Sequence, residues 1–190
     1  MAKCKCGVEF VRFNSMQSMC IQCALEKGRK NIKKENLIQA KVDRARKESA
    51  KTNTKWKNET QDIFNKMRRL EELFWFKERG IEPYCISCQK PLGGDQWCNG
   101  HFKTRAARPD LAFDRSNTFL QHNYKCNQQL SGDVVNYSLG LLYRFGCIQG
   151  KQIIDYCETY QPAIKRTPED WKAMKKEFRA RIKQMMAALE

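Results

Sequence analysis

The chain has no long apolar run: none of its 190 residues falls in a stretch near the roughly 18 that span a bilayer. A membrane-spanning helix is thereby excluded. The N-terminus, MAKCKCGVEF, has no apolar signal core followed by a small-residue cleavage site, so a cytoplasmic location is expected. Acidic residues are few, 21 against 36 Lys and Arg, and the formal net charge is +15. Charge of that sign attracts polyanions and speaks to partners rather than to fold. Histidine is scarcer still, with two copies, so each carries weight. Proline is absent from residues 27–79. Cysteine is the exception, with ten copies. In a reducing compartment, cysteines in close pairs read as metal ligands rather than disulfides.

Three divisions follow: a cysteine cluster at 1–26, a basic helical arm at 27–80, and a motif region with C-terminal helices at 81–190. The arm holds seventeen Lys or Arg against eight Asp or Glu. Trp56, Ile63, Met67, Leu70 and Phe74 recur along it at helical spacing, and Gly80 and Pro83 end it. A last helix starts at Thr167-Pro168-Glu169-Asp170, with a cap, a proline at the first helical position and acid in the first turn. Trp171, Met174, Phe178, Ile182, Met185 and Leu189 share one of its faces. Both stripes read as ordinary packing, with a dimer seam as the rival reading. Cys147 and Cys157 read as small buried residues in helical patterns.

Cys4-x-Cys6 and Cys20-x-x-Cys23 place four thiols in reach of one tetrahedral Zn²⁺. A segment of about 25 residues cannot fold on its own core, so bound metal would supply the stability. Cys85-x-x-Cys88 and His122-x-x-x-Cys126 suggest a second, Cys₃His zinc site, with Cys98 as a rival fourth ligand. Inside that clamp, DQWCNGHF reads as a strand ending at His101. KTRAARPDLAFDRS reads as a basic loop, NTFLQ as a second strand, and the residues around Cys126 as the opening of a helix. This order predicts a mostly α, α+β protein: a small zinc-bound ββα-metal core flanked by helices, with an N-terminal zinc-finger-like knob. His101 would then face Asn127. A neutral imidazole suits a general base near neutral pH, and hard oxygen ligands suit Mg²⁺ or Mn²⁺. The rival role for His101 is a zinc ligand.

CISC at 85–88, W-x-x-GH at 97–101, the loop with Arg105, Ala106, Ala107 and Pro109, then Asn117 and CNQ-x-x-SG at 126–132 resemble the HNH, or His-Me finger, nucleases. More closely, with the N-terminal cysteines and the charged middle segment, they resemble the phage NinG (Rap) recombination proteins. The resemblance implies a structure-specific endonuclease of branched DNA (Holliday junctions, D-loops). His101 would be the general base, Asn117 the residue bracing its loop, and Asn127 the catalytic metal ligand. Cys85, Cys88 and Cys126 match structural zinc ligands, while His122 stands where a cysteine is expected. HNH enzymes often carry Asp before the catalytic histidine. Here Gly100 stands there, leaving Asn99, Asp95 or water as substitutes.

Lys103, Arg105, Arg108 and Arg115 crowd the loop as candidate phosphate contacts. Arg68, Arg69 and the lysines and arginines of the arm extend the basic surface. The expected partners are branched DNA, recombination proteins and a second copy forming a dimer. The competing readings are an inactive architectural DNA-binding protein and a sequence-specific HNH endonuclease.

Overall fold

In a computed structural model, all residues are described except 94, 95, 160, 161, 163, 189 and 190. Asp95, weighed above as a metal ligand, and Leu189, placed on the last helix's apolar face, lie outside the described residues. The chain is mostly helical α+β, with two two-stranded sheets among the described residues. It divides into two compact units, Met1–Lys51 and Thr52–Glu190. No helix among the described residues is long and apolar enough to cross a membrane.

In the first unit, β1 (Ala2–Lys3) pairs antiparallel with β2 (Glu9–Phe10). Between them Cys4 accepts from the Gly7 N–H and donates to Val8, with Gly7 at φ 93°. A long helix, α1 (Ile21–Ser49), follows and buries none of its residues. The charged stretch expected to be one helix is in fact two. Thr52 interrupts it: its hydroxyl accepts from the Lys55 N–H at 3.2 Å and caps a new helix.

That helix is α2 (Asn53–Glu78), the spine of the second unit. It packs lengthwise on α4 (Pro168–Ala187), where Phe64 and Met67 meet Phe178 and Met185, with Ile63, Leu70, Phe74, Met174 and Ile182 around them. The two apolar stripes are therefore each other's partners, and the reading of either as a dimer seam is corrected. At the start of α4, Thr167 and Asp170 cap each other reciprocally.

Between these helices and α3 (Val134–Glu158) lies a hairpin of β3 (Trp97–His101) and β4 (Thr118–His122), paired from Trp97↔His122 to His101↔Thr118. Strand alternation splits its faces. On one, Leu120 packs with Phe76 of α2, and Thr118 takes two hydrogen bonds from the buried Arg68. On the other, Tyr137 of α3 receives the Phe119 N–H and donates to the Gly100 carbonyl, both at 3.0 Å. A π-helical turn, Asn123–Gln129, follows β4. α3 kinks at Gly146, and Cys147 just past the kink is exposed rather than buried, while Cys157 is buried.

Candidate metal centres and the histidine cleft

The tight turn after β1 and the first turn of α1 bring Cys4, Cys6, Cys20 and Cys23 together, with all four sulfurs within 4.8 Å of one another. Cys6 and Cys20 Sγ are 3.6 Å apart. In the second unit the same bound holds for the ligand atoms of Cys85, Cys88, His122 and Cys126, and Cys85 and Cys126 Sγ are 3.8 Å apart. The edge of a tetrahedron with Zn–S bonds of about 2.3 Å is about 3.8 Å. These separations match it and are far beyond a disulfide bond of about 2.05 Å. Backbone N–H groups of Cys6 and Cys20 lower the Cys4 thiol, while hydrogen bonds with Cys6, Cys20 and Cys4 raise that of Cys23, so the cluster titrates as one set. Both clusters could thus hold zinc.

The second cluster is tied into the hairpin. The Ile86 N–H donates to the Leu120 carbonyl at 2.9 Å, docking the CxxC turn on β4. His122 Nδ1 faces Cys88 Sγ at 3.2 Å, and its Nε2 lies 3.2 Å from the Pro91 carbonyl. A carbonyl only accepts, so Nε2 carries the proton and Nδ1 is left for metal. Neither Cys98 nor His101 belongs to this set, which removes both rival zinc assignments.

His101 ends β3. Its Nε2 lies 3.1 Å from the Ala112 carbonyl, which by the same argument places the proton on Nε2 and the lone pair on Nδ1. Burial, with Arg105 adding to it, pushes the imidazole down to about 4, so the ring is neutral at pH 7. The loop that supplies Ala112 is closed by Asn117. This fully buried side chain accepts from the Lys103 N–H at 2.7 Å and donates to the carbonyls of Lys103 at 3.0 Å and Leu111 at 3.2 Å. His101 and Asn127 line one cleft of about 390 Å³, with Asn65, Cys98, Asn99, Thr104 and Arg105.

Gly100 has a structural reason. A Cβ there would lie 2.3 Å from Gln121 Oε1. Gln121 cannot easily yield, because its Nε2 donates to both Ser87 Oγ and the Gly132 carbonyl at 2.7 Å. An aspartate before His101 is thus sterically closed out in this chain.

Of the four basic loop residues, Arg105 alone lines the cleft. Arg108 is engaged with Asp110 and with the Cys157 and Thr159 carbonyls, so it braces the loop. Arg115 pairs with Glu71, and Lys103 with Glu158. Arg68, counted above with the basic surface, is buried and held by Glu71 and Glu72. Asn65, from α2, escaped the sequence reading. The one signal for it is an uncharged Gln61-x-x-x-Asn65 pair in an otherwise charged helix.

The family model described as Bacteriophage Lambda NinG protein matches residues 1–187. Over 111 residues the chain is 35% identical to the Protein ninG of Salmonella phage P22 and 34% identical to that of Escherichia phage lambda, in each case covering 58% of this chain and 52% of the relative. It is 33% identical to the Protein ninG of Escherichia phage 933W over the same length. The chain spans about half the length of these curated relatives. No solved structure matches it.

Proposed function

The chain belongs to the NinG family of phage proteins, and from that footing we propose that it is a metal-dependent endonuclease of branched DNA, acting in phage recombination in the host cytoplasm. The observation that carries the proposal is the state of His101. Its Nε2 proton is committed to the Ala112 carbonyl, its ring is neutral, and it lines a cleft shared with Asn127 and Arg105. A neutral ring with a free Nδ1 lone pair is the form a general base takes, and burial makes this one a weaker base than a free imidazole. Nδ1 takes a proton from a water, the water oxygen bonds to phosphorus, and the P–O bond to the leaving sugar oxygen breaks. That oxygen is protonated from solvent. Arg105 holds the phosphate through charge-assisted hydrogen bonds. Asn127 would hold a Mg²⁺ or Mn²⁺ ion, which when bound stabilises the charge on the phosphate and leaving oxygens. Asn117 acts by holding the loop, and so the carbonyl that fixes the His101 tautomer. Zinc in the two cysteine clusters fixes the scaffold and takes no part in the chemistry.

The hairpin followed by a helical turn, pinned by a Cys₃His set, has the element order of a His-Me finger, which supports this reading. A four-way junction has two equivalent strands to cut, so two copies of the chain are expected on it. One observation favours an architectural DNA-binding role instead: no carboxylate lines the cleft among the described residues. Incubating zinc-loaded protein with Mg²⁺ and end-labelled junctions, D-loops and linear duplex separates the two. The nuclease reading expects cuts near the branch points, independent of arm sequence. A gel shift of every substrate with none cut would establish the architectural role in its place.

A further inference from the structure

Asn99 lies two residues before His101 on β3, so strand alternation puts both side chains on one face. It is 6% exposed. Its amide nitrogen donates to Asn65 Oδ1 at 3.2 Å. Asn65 Oδ1 also accepts from Gln61 Nε2 at 3.1 Å, and Gln61 Nε2 lies 3.0 Å from the Ala112 carbonyl that holds His101. With two donors converging on Asn65 Oδ1, the Asn99 amide has one workable orientation: nitrogen toward α2, oxygen away from it. That oxygen is buried and has no hydrogen-bond partner. Gln61 Oε1 in the same network is unpaired as well, but Gln61 does not line the cleft. Buried acceptors are nearly always satisfied, and the Asn99 oxygen, beside a polar cleft, calls for a partner from it, a water or an ion.

We propose that Asn99 Oδ1 is a ligand for a hard divalent cation in the His101 cleft, with Asn65 fixing the amide for that task. The inference rests on the nuclease reading for its choice of cation. Three observations converge on it. Asn99 and Asn127 line the same cleft, which puts two amide side chains at one site. Amide oxygens are hard donors, which suit Mg²⁺ or Mn²⁺ better than they suit zinc. Gln121 closes position 100 to any side chain, and that position faces away from Asn99 and His101, so Asn99 is the strand neighbour that shares the His101 face. Asn65 is then a positioning residue, acting through Asn99. With neutral ligands, the ion binds weakly to the protein alone and is completed by phosphate oxygens of the substrate.

The test is a titration of Mn²⁺ into the zinc-loaded full chain, with free Mn²⁺ read by electron spin resonance. Wild type should show one weak site. Asn99→Ala should weaken it at least about tenfold, and Asn65→Ala by about tenfold, the effect of losing a group that orients a ligand. Asn99→Asp should tighten it about tenfold, since added ligand charge raises affinity for a hard cation. That variant also carries a buried, unpaired carboxylate, so Mn²⁺ should raise its unfolding temperature more than that of wild type. Unchanged Mn²⁺ affinity in Asn99→Ala, with zinc content and folding intact, overturns the inference. If that protein still cuts junctions like wild type, the nuclease reading stands without it. A wild type that binds no Mn²⁺ overturns the inference too, and if it also fails to cut DNA both readings fall together.

Discussion

A buried polar side chain is informative when its partners leave it a single role. Asn117, at one end of the 103–117 loop, spends its oxygen and its nitrogen on the backbone of Lys103 at the other end and of Leu111 in the middle, so it can only be a brace. Arg108 is similar, and its carboxylate partner makes the brace testable. Hydrogen bonds from Arg108 hold the Asp110 carboxyl below its ordinary value of 3.8. A depressed carboxylate binds fewer protons in the folded than in the unfolded state. Its stabilising contribution is full above the ordinary value and is lost as pH falls through the folded one. Asp110→Asn should therefore be less stable than wild type at pH 7, and the gap should close below about pH 3.8. Denaturant melts across that range would show it, and a gap constant with pH would refute it. Sequence spacing made His101, Asn127 and the eight metal-ligand candidates legible, because their chemistry is local. It could not show that Arg108 and Arg68 are consumed by Asp110, Glu71 and Glu72. Such pairings are decided by which side chains share a low-dielectric space, and that follows from tertiary packing.

Among the elements, the hairpin and the start of α4 follow from local signals, the strand runs and a Thr-Pro-Glu-Asp cap, whereas the residues around Cys126, read as the opening of a helix, form a separate π-helical turn ahead of α3. The break between α1 and α2 does not stand out. Both flanks are good helix formers, and the interruption depends on the hydroxyl of Thr52 outcompeting helix continuation. The other hidden determinant is a close approach. A Cβ at Gly140 of α3 would sit 1.7 Å from the Ile86 carbonyl, so the helix backbone rests directly on the CxxC turn. Gly140→Ala must push that turn away. It should destabilise the protein by about 1–3 kcal/mol, as overpacking of a filled interior does. It should also speed zinc loss from the Cys85 cluster. An unchanged melting temperature together with an unchanged rate of zinc release to a chelator would contradict this packing.

For the whole molecule, charge and metal set the terms. Thirteen Lys or Arg against five Asp or Glu lie in Met1–Lys51, where α1 buries nothing. No apolar cluster among the described residues holds β1 and β2 in that unit, and zinc on its four cysteines could supply the free energy, on the order of 10–16 kcal/mol in comparable modules. Metal analysis should find about two zinc ions per chain. Cys20→Ser should reduce this to about one while residues 52–190 still unfold cooperatively, and a native content near zero would disprove both assignments. On the proposed function, basic charge spread over a helix would meet DNA backbone and shape, and the expected outcome is that junction binding weakens steeply with salt in a gel-shift titration.

The central claim is that one imidazole performs the cleavage, and the most direct measurement compares wild type with His101→Ala on a labelled four-way junction with Mg²⁺. The account predicts that the variant, zinc-loaded and folded, binds the junction as wild type does and cuts it at least about 100-fold more slowly, the scale of losing a general base. Turnover equal to wild type would contradict it.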